Sequence, residues 1–273
     1  MTHVEGNYIF PVQPSPYDGR DYQFESRNRS YRLTKVDMEQ DSKSIPKTLD
    51  LRTHLRSPRD QGSRGTCVAF SCASIKEYQE RIDCNFQQYM SPNSVYFWRE
   101  NKPDEGMYLR DAMKILHEKG IATEEDFPYN PTKEPKQFPK GIETTRFKTS
   151  EYARVNTIDG LKEALYNYGP CLIAFPVYST SPEFWRPATA LDESRGGHCV
   201  TVVGYNEVGF ILRNSWGSTW NIDGSVLYPY SDWGHHWEIW SCIDSETDLW
   251  YPDVPKEKFP CIKACFRWMI HRK

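Results

Sequence analysis

Three side chains in this 273-residue chain have the types and neighbours from which acyl-transfer chemistry could be built. Cys67 follows Gln61-Gly-Ser-Arg-Gly-Thr66 and opens an almost continuously small or apolar run, Val68 to Ile75. A helix starting there would hold the sulfur at its positive end, which favours the thiolate and lowers the thiol pKa below its free value of about 8.5. Taken alone, a Cys at the head of an apolar helix is equally an ordinary core residue. A nucleophile also needs a base, and His198 stands near the start of an apolar run, Gly196-Gly-His-Cys-Val-Thr-Val-Val-Gly-Tyr205. The two glycines let backbone or substrate approach, although a His at a strand rim is otherwise a packing residue. Asn214, in Leu212-Arg-Asn-Ser-Trp-Gly217, could accept a ring N–H of the His, fix its tautomer and leave the other nitrogen for the sulfur. Trp216 and Trp220 could keep water from that bond and so strengthen it.

These side chains need elements to bring them together. The apolar run predicts a helix over about 66–81, buried all round at its first turns before the charged Lys76, Glu77, Glu80 and Arg81. Ser91-Pro92 is an N-cap followed by Pro at the first helical position, opening a helix with Val95, Tyr96 and Trp98. Leu109, Ala112, Met113 and Leu116 share one helical face, closed by Gly120, and a further helix over 158–167 ends at Gly169-Pro170. Strand-like runs follow at 171–178, 198–205, 209–213, 224–230 and 237–243. Helices before strands imply an α+β protein of two lobes, with a cleft between the central helix and the sheet.

Residues 1–44 differ in texture. Polar residues and Pro11, Pro14 and Pro16 dominate, and no period of 2 or 3.6 survives, yet Tyr8, Phe10, Tyr17, Tyr22, Phe24 and Tyr31 are too many aromatics for a plain linker. They read as an extension, either a prosegment or a strap docked on the body. At the other end, 251–273 is a basic segment with six Lys or Arg between Lys256 and Lys273 against one acid, Glu257, which reads first as a solvated or packed terminus. A net charge of -3 gives no nucleic-acid footprint, so no nucleic-acid partner is expected. No leader-like start and no span-length apolar run is present, so no membrane partner is expected either. Eight Cys are too few for a disulfide scaffold. Cys261, Cys265 and His271 lack the paired spacing of structural zinc, so neither a metal nor a cofactor is expected.

The order and spacing of Cys67, His198 and Asn214 match those of the papain and cathepsin enzymes. Ile45-Pro-Lys-Thr-Leu-Asp-Leu-Arg52 resembles the start of the mature enzyme in that family, Gln61 to Phe70 its nucleophile segment, and Gly196 to Tyr205 its histidine segment. Asn214-Ser-Trp-Gly217, with Trp220 and Gly224, resembles the asparagine segment. The resemblance implies a papain-like two-lobed α+β fold, with a helical lobe over about 45–150 and an antiparallel, barrel-like β lobe over about 151–250. It makes Cys67 the nucleophile, His198 the base and later acid, and Asn214 the group that orients the ring. The Gln61 amide and the Cys67 N–H become the oxyanion hole. Gly106, after Glu105, resembles the strip on which an extended substrate pairs by its backbone, and Gly197 would line the opposite wall. Arg64 and Val68 stand where the family often has a bridged Cys and a Trp, which points to the branch found in bacteria and large viruses. With the remaining cysteines read as buried thiols, it also points to a reducing compartment, the cytoplasm or a virion. His235-His236 sit too late in the β half for the His pair that caps one cathepsin type.

The implied activity is that of a monomeric cysteine endopeptidase acting on peptide or protein substrates without a cofactor. Two other readings stay open: an exopeptidase, deamidase or transglutaminase-like enzyme with the same thioester chemistry, and a non-catalytic binding module. Prosegments of the resembled family run through the cleft and block it, so residues 1–44 either inhibit the enzyme intramolecularly or form a permanent strap.

Overall fold

Val68, Ala69, Cys72, Ala73 and Ile75 leave the first turns of the central helix no face for water, and the fold wraps that helix accordingly. The computed structural model describes residues 8–25, 45–142 and 147–244. Helix α1 (Cys67–Cys84) ends where Asn85 turns left-handed at φ 55°. One side meets α2 (Pro92–Tyr96) and α3 (Leu109–Glu118), and the other side meets the sheet. Ser91 caps α2 as its sequence predicts, its hydroxyl accepting from the Ser94 N–H at 3.3 Å. That helix stops before Trp98, which instead packs at the edge of the helical core.

The β half begins with β1 (Leu49–Asp50) and β2 (Glu151–Val155), followed by α4 (Ile158–Tyr168), β3 (Cys171–Pro176), β4 (Gly197–Tyr205), β5 (Gly209–Arg213), β6 (Ser225–Pro229) and β7 (Glu238–Ile243). The antiparallel sheet runs β2-β7-β3-β4-β5-β6, and β1 joins it by pairing with β4. Neither β1 nor β2 is foreseen from the sequence. The first has two residues, and the second, Glu-Tyr-Ala-Arg-Val, takes its alternation from the edge it covers on β7. The long strand β4 lies between β3 and β5, buried along its whole length, and α1 packs across it. Cys67 and His198 are therefore carried by the two elements that meet at the centre of the molecule.

The burial of α1 extends beyond the first turns expected from its sequence. Lys76, Glu77 and Glu80 are buried too, because packing on both sides of the helix continues as far as Glu80, and only its last turn is partly exposed. Lys76 pairs with Glu80 at 3.2 Å and with Asp244 at 2.6 Å, and Glu77 with Arg59 at 3.2 Å. Buried charges persist only when paired in this way. All six cysteines among the described residues are free thiols. Cys261, Cys265, His271 and the basic terminal segment lie outside the described residues.

Candidate active site

Seven of the eight site residues singled out in the sequence form a connected set, and the eighth, Gly106, closes it from across the cleft. Gln61 is wholly buried; its Oε1 accepts from Ser215 Oγ at 2.6 Å and its Nε2 donates to the Arg64 carbonyl at 2.9 Å. That places it against the Asn214-Ser215 turn. Asn214 Oδ1 accepts both from His198 Nε2 at 2.8 Å and from the Ser215 N–H at 2.7 Å. His198 Nδ1 is buried and makes no hydrogen bond within the protein. Trp216 stacks on the imidazole, with ring centroids 4.6 Å apart, and Trp220 meets Trp216 edge-on one ring further out. The shield over the His–Asn bond is thus Trp216, with Trp220 supporting it.

Cys67 is the first residue of α1, and the cap residue Thr66 spends its hydroxyl on Tyr129 Oη at 2.7 Å instead of capping the helix. The sulfur lies against backbone N–H groups, including that of Cys199, the residue after His198, and these favour its thiolate. Burial is the larger influence and pushes the thiol up to about 11. Burial likewise pushes the His198 imidazole down to about 4, against the opposing effect of Asn214. Both groups are therefore neutral across mid pH. Cys67 and His198 are each 0% exposed.

What covers them is residues 8–16 of the same chain. Tyr8 stacks on Trp216 with ring centroids 4.9 Å apart, and its hydroxyl donates to Asp60 at 3.2 Å. Phe10 meets the His198 ring edge-on. The Gly197 N–H donates to the Phe10 carbonyl at 2.8 Å, and the Val12 N–H donates to the Gly197 carbonyl at 3.2 Å. On the opposite wall, a Cβ on Gly106 (φ +81°) would lie 2.6 Å from the Pro11 oxygen. Both glycines thus admit a backbone at close quarters, and that backbone is this chain's own. Ser15 then donates from its N–H and its hydroxyl to Glu238, both at 2.9 Å.

Beyond an exposed turn at Tyr17 to Arg20 the contacts change character. Asp21 pairs with Arg110 at 2.6 Å, and the Arg154 N–H donates to the Tyr22 carbonyl at 2.8 Å. Phe24 is fully buried in the β-lobe core. Glu25 accepts from the N–H groups of Asn156 and Thr157 at 2.8 and 3.0 Å, next to the start of α4. Sequence reasoning missed Ser15, Glu238 and Ser215 as members of this region. A signal for the covering segment did exist: Tyr8, Phe10 and Val12 stand at every second position, the period of an extended chain with one face against a wall. His235 and His236 do other work, against the Asp232 carbonyl at 2.8 Å and the Tyr228 hydroxyl at 3.0 Å.

A thiol at a helix start beside a strand-borne His that bonds an Asn just past the end of the next strand, in a cleft between helices and an antiparallel sheet, defines a class of protein. The model of the papain family cysteine protease matches residues 45–233, and the chain belongs to that family. An uncharacterized peptidase C1-like protein of Acanthamoeba polyphaga mimivirus is 26% identical over 219 residues, 69% of this chain and 70% of that protein. Xylellain, a cysteine protease from Xylella fastidiosa, superposes with a TM-score of 0.67 at 26% identity, covering 88% of this chain and 97% of that one. Digestive procathepsin L 3 of Tenebrio molitor shares the fold at a TM-score of 0.62 and 21% identity, over 74% of this chain and 71% of that one. The viral and bacterial likenesses agree with the branch expected from Arg64 and Val68. The chain spans 63% of the length of the next two curated relatives, cysteine proteases of Blomia tropicalis and Entamoeba histolytica.

Proposed function

We propose that the chain is a cysteine-type endopeptidase of extended peptides, kept latent by residues 8–16 lying through its cleft. The observation that carries the reading is the His198 Nε2 to Asn214 Oδ1 bond at 2.8 Å, which leaves Nδ1 unpaired while the Cys67 sulfur lies against the adjoining Cys199 N–H. With the cleft open, His198 Nδ1 takes the Cys67 proton and the thiolate attacks the substrate carbonyl. His198 then protonates the leaving amine, and water hydrolyses the thioester by the same route in reverse. Negative charge on the carbonyl oxygen is met by the Cys67 N–H and by the Gln61 Nε2 hydrogen not engaged by Arg64. Asn214 holds the ring and Trp216 keeps the bond dry. Substrate backbone would take the place of residues 10–12 between Gly106 and Gly197.

The described part of the extension would combine both roles foreseen for residues 1–44, divided at the Tyr17–Arg20 turn: 8–16 as a plug and 21–25 as a strap. The test compares the full chain with one beginning at residue 17. An irreversible epoxide thiol inhibitor should label Cys67 in the shorter chain and spare it in the full one, and the shorter chain should cut a mixed peptide library internally. Products trimmed only from an end would reject endopeptidase action, and no labelling of Cys67 in either chain would reject the enzyme reading altogether.

A further inference from the structure

The nucleophile helix carries a second set of polar groups below Cys67. Ser71, Ser74 and Glu77 follow it at i+4, i+7 and i+10, on one face of α1. That face meets Thr201 on β4 and Arg213 at the end of β5, and between them is a small cavity. It offers about 10 Å³ to the centre of a water molecule and is lined by Ser71, Ser74, Glu77, Arg213, Asn214 and Ser215, among others. Space and polar lining suit one bound water rather than an apolar void.

Two lining residues have unfinished hydrogen bonding. Asn214 spends Oδ1 on His198 and on the Ser215 N–H, while its Nδ2 is buried with no acceptor in the protein. Glu77 spends Oε1 on the Met90 N–H at 2.9 Å and on Arg59 at 3.2 Å, and no described residue donates to its Oε2. Arg59 and Arg213 both favour its carboxylate against the cost of burial. A donor without an acceptor and an acceptor without a donor thus share a water-sized space. A buried polar group left unsatisfied costs about 1–3 kcal/mol, and here that cost would fall on the amide that holds the catalytic ring.

We propose that a water molecule in this cavity accepts from Asn214 Nδ2 and donates to Glu77, making Glu77 a positioning residue for the His198–Asn214 pair. The Ser215 N–H holds the amide oxygen in place, and the water holds the nitrogen. The amide is then fixed from both ends, with Oδ1 turned to His198. Because Glu77 and Cys67 share one helix, the same link ties the helix bearing the nucleophile to the strand end bearing the Asn.

The proposal rests on the reading of His198 and Asn214 as a working pair, but its test does not require turnover. In the full chain, labelled with ¹⁵N-histidine, the His198 Nε2–H signal is identified by its loss in His198→Gln. Its protection from solvent exchange is measured relative to the backbone amides of β4. Ser74→Val fills the cavity without touching Glu77 or Asn214, and Glu77→Leu removes the acceptor. Each should lower that relative protection about tenfold, whereas Glu77→Gln, which keeps an acceptor oxygen, should stay within about twofold of the parent. Unchanged protection in Ser74→Val, or loss shared equally by the β4 amides, would overturn the proposal. Because the signal exists whether or not peptides are cut, a failure here is distinct from a failure of the peptidase reading.

Discussion

At the scale of single residues, burial sets the protonation of Cys67 and His198. The thiol is raised to about 11 and the imidazole lowered to about 4, so neither ionises near neutrality while the plug is seated. In the full chain Cys67 should resist alkylation by iodoacetamide near neutral pH, as peptide mapping would show, because the sulfur is covered and burial holds it as the thiol. In the chain beginning at residue 17 alkylation should persist into mildly acidic solution, because a thiolate paired with imidazolium keeps its charge there. Gln61→Ala should reduce kcat of that shorter chain by about 10²- to 10³-fold, the typical effect of losing one oxyanion donor, with KM little changed. Steady-state hydrolysis of a fluorogenic peptide checks this. Cys67, His198, Asn214 and Gln61 are all legible in the sequence, because each is set in a run of local neighbours that its chemistry requires. Ser15 and Glu238 are not, since the meeting of residues 223 positions apart leaves no mark on either local run.

At the scale of elements, α1, α3 and α4 are readable because their apolar spacing or their caps are local properties. The Thr157 hydroxyl accepts from the Gly160 N–H at 2.9 Å and starts α4. The two-residue β1, the edge strand β2 and the covering segment are set by the partners they lie on. The division of that segment has separable consequences. Val12 is fully buried in the cleft, so Val12→Asp places an unpaired charge there and should raise the peptidase rate of the full chain at least about tenfold. Phe24 is fully buried in the β-lobe core, and Phe24→Ala should cost about 3–5 kcal/mol in chemical denaturation. Its effect on peptidase rate should be small wherever the chain stays folded. Equal effects of the two variants on rate would refute separate plug and strap roles.

At the scale of the whole molecule, the burial of two histidines couples stability to pH. His198 and His236 are both held near 4 by burial, whereas an unfolded histidine titrates near 6.5. Below that value the unfolded chain binds more protons than the folded one, so stability falls as the pH drops from about 6.5 towards 4. Each histidine contributes on the order of 3 kcal/mol when the loss is complete. Thermal unfolding followed between pH 7 and pH 4 should show a falling midpoint, and substituting His236 by Phe should reduce the slope. The sequence by itself determined the reactive groups, the order of α1–α4 and β3–β7 and the family, because these depend on residue types and on spacings along the chain. Only the tertiary structure decided that the cleft is filled by the chain's own residues 8–16, that Lys76, Glu77 and Glu80 of α1 are buried, and that Asn214 and Glu77 face one small cavity. Each of these depends on which distant surfaces come together, and the burial that results sets the cost of every charge and unpaired donor placed between them.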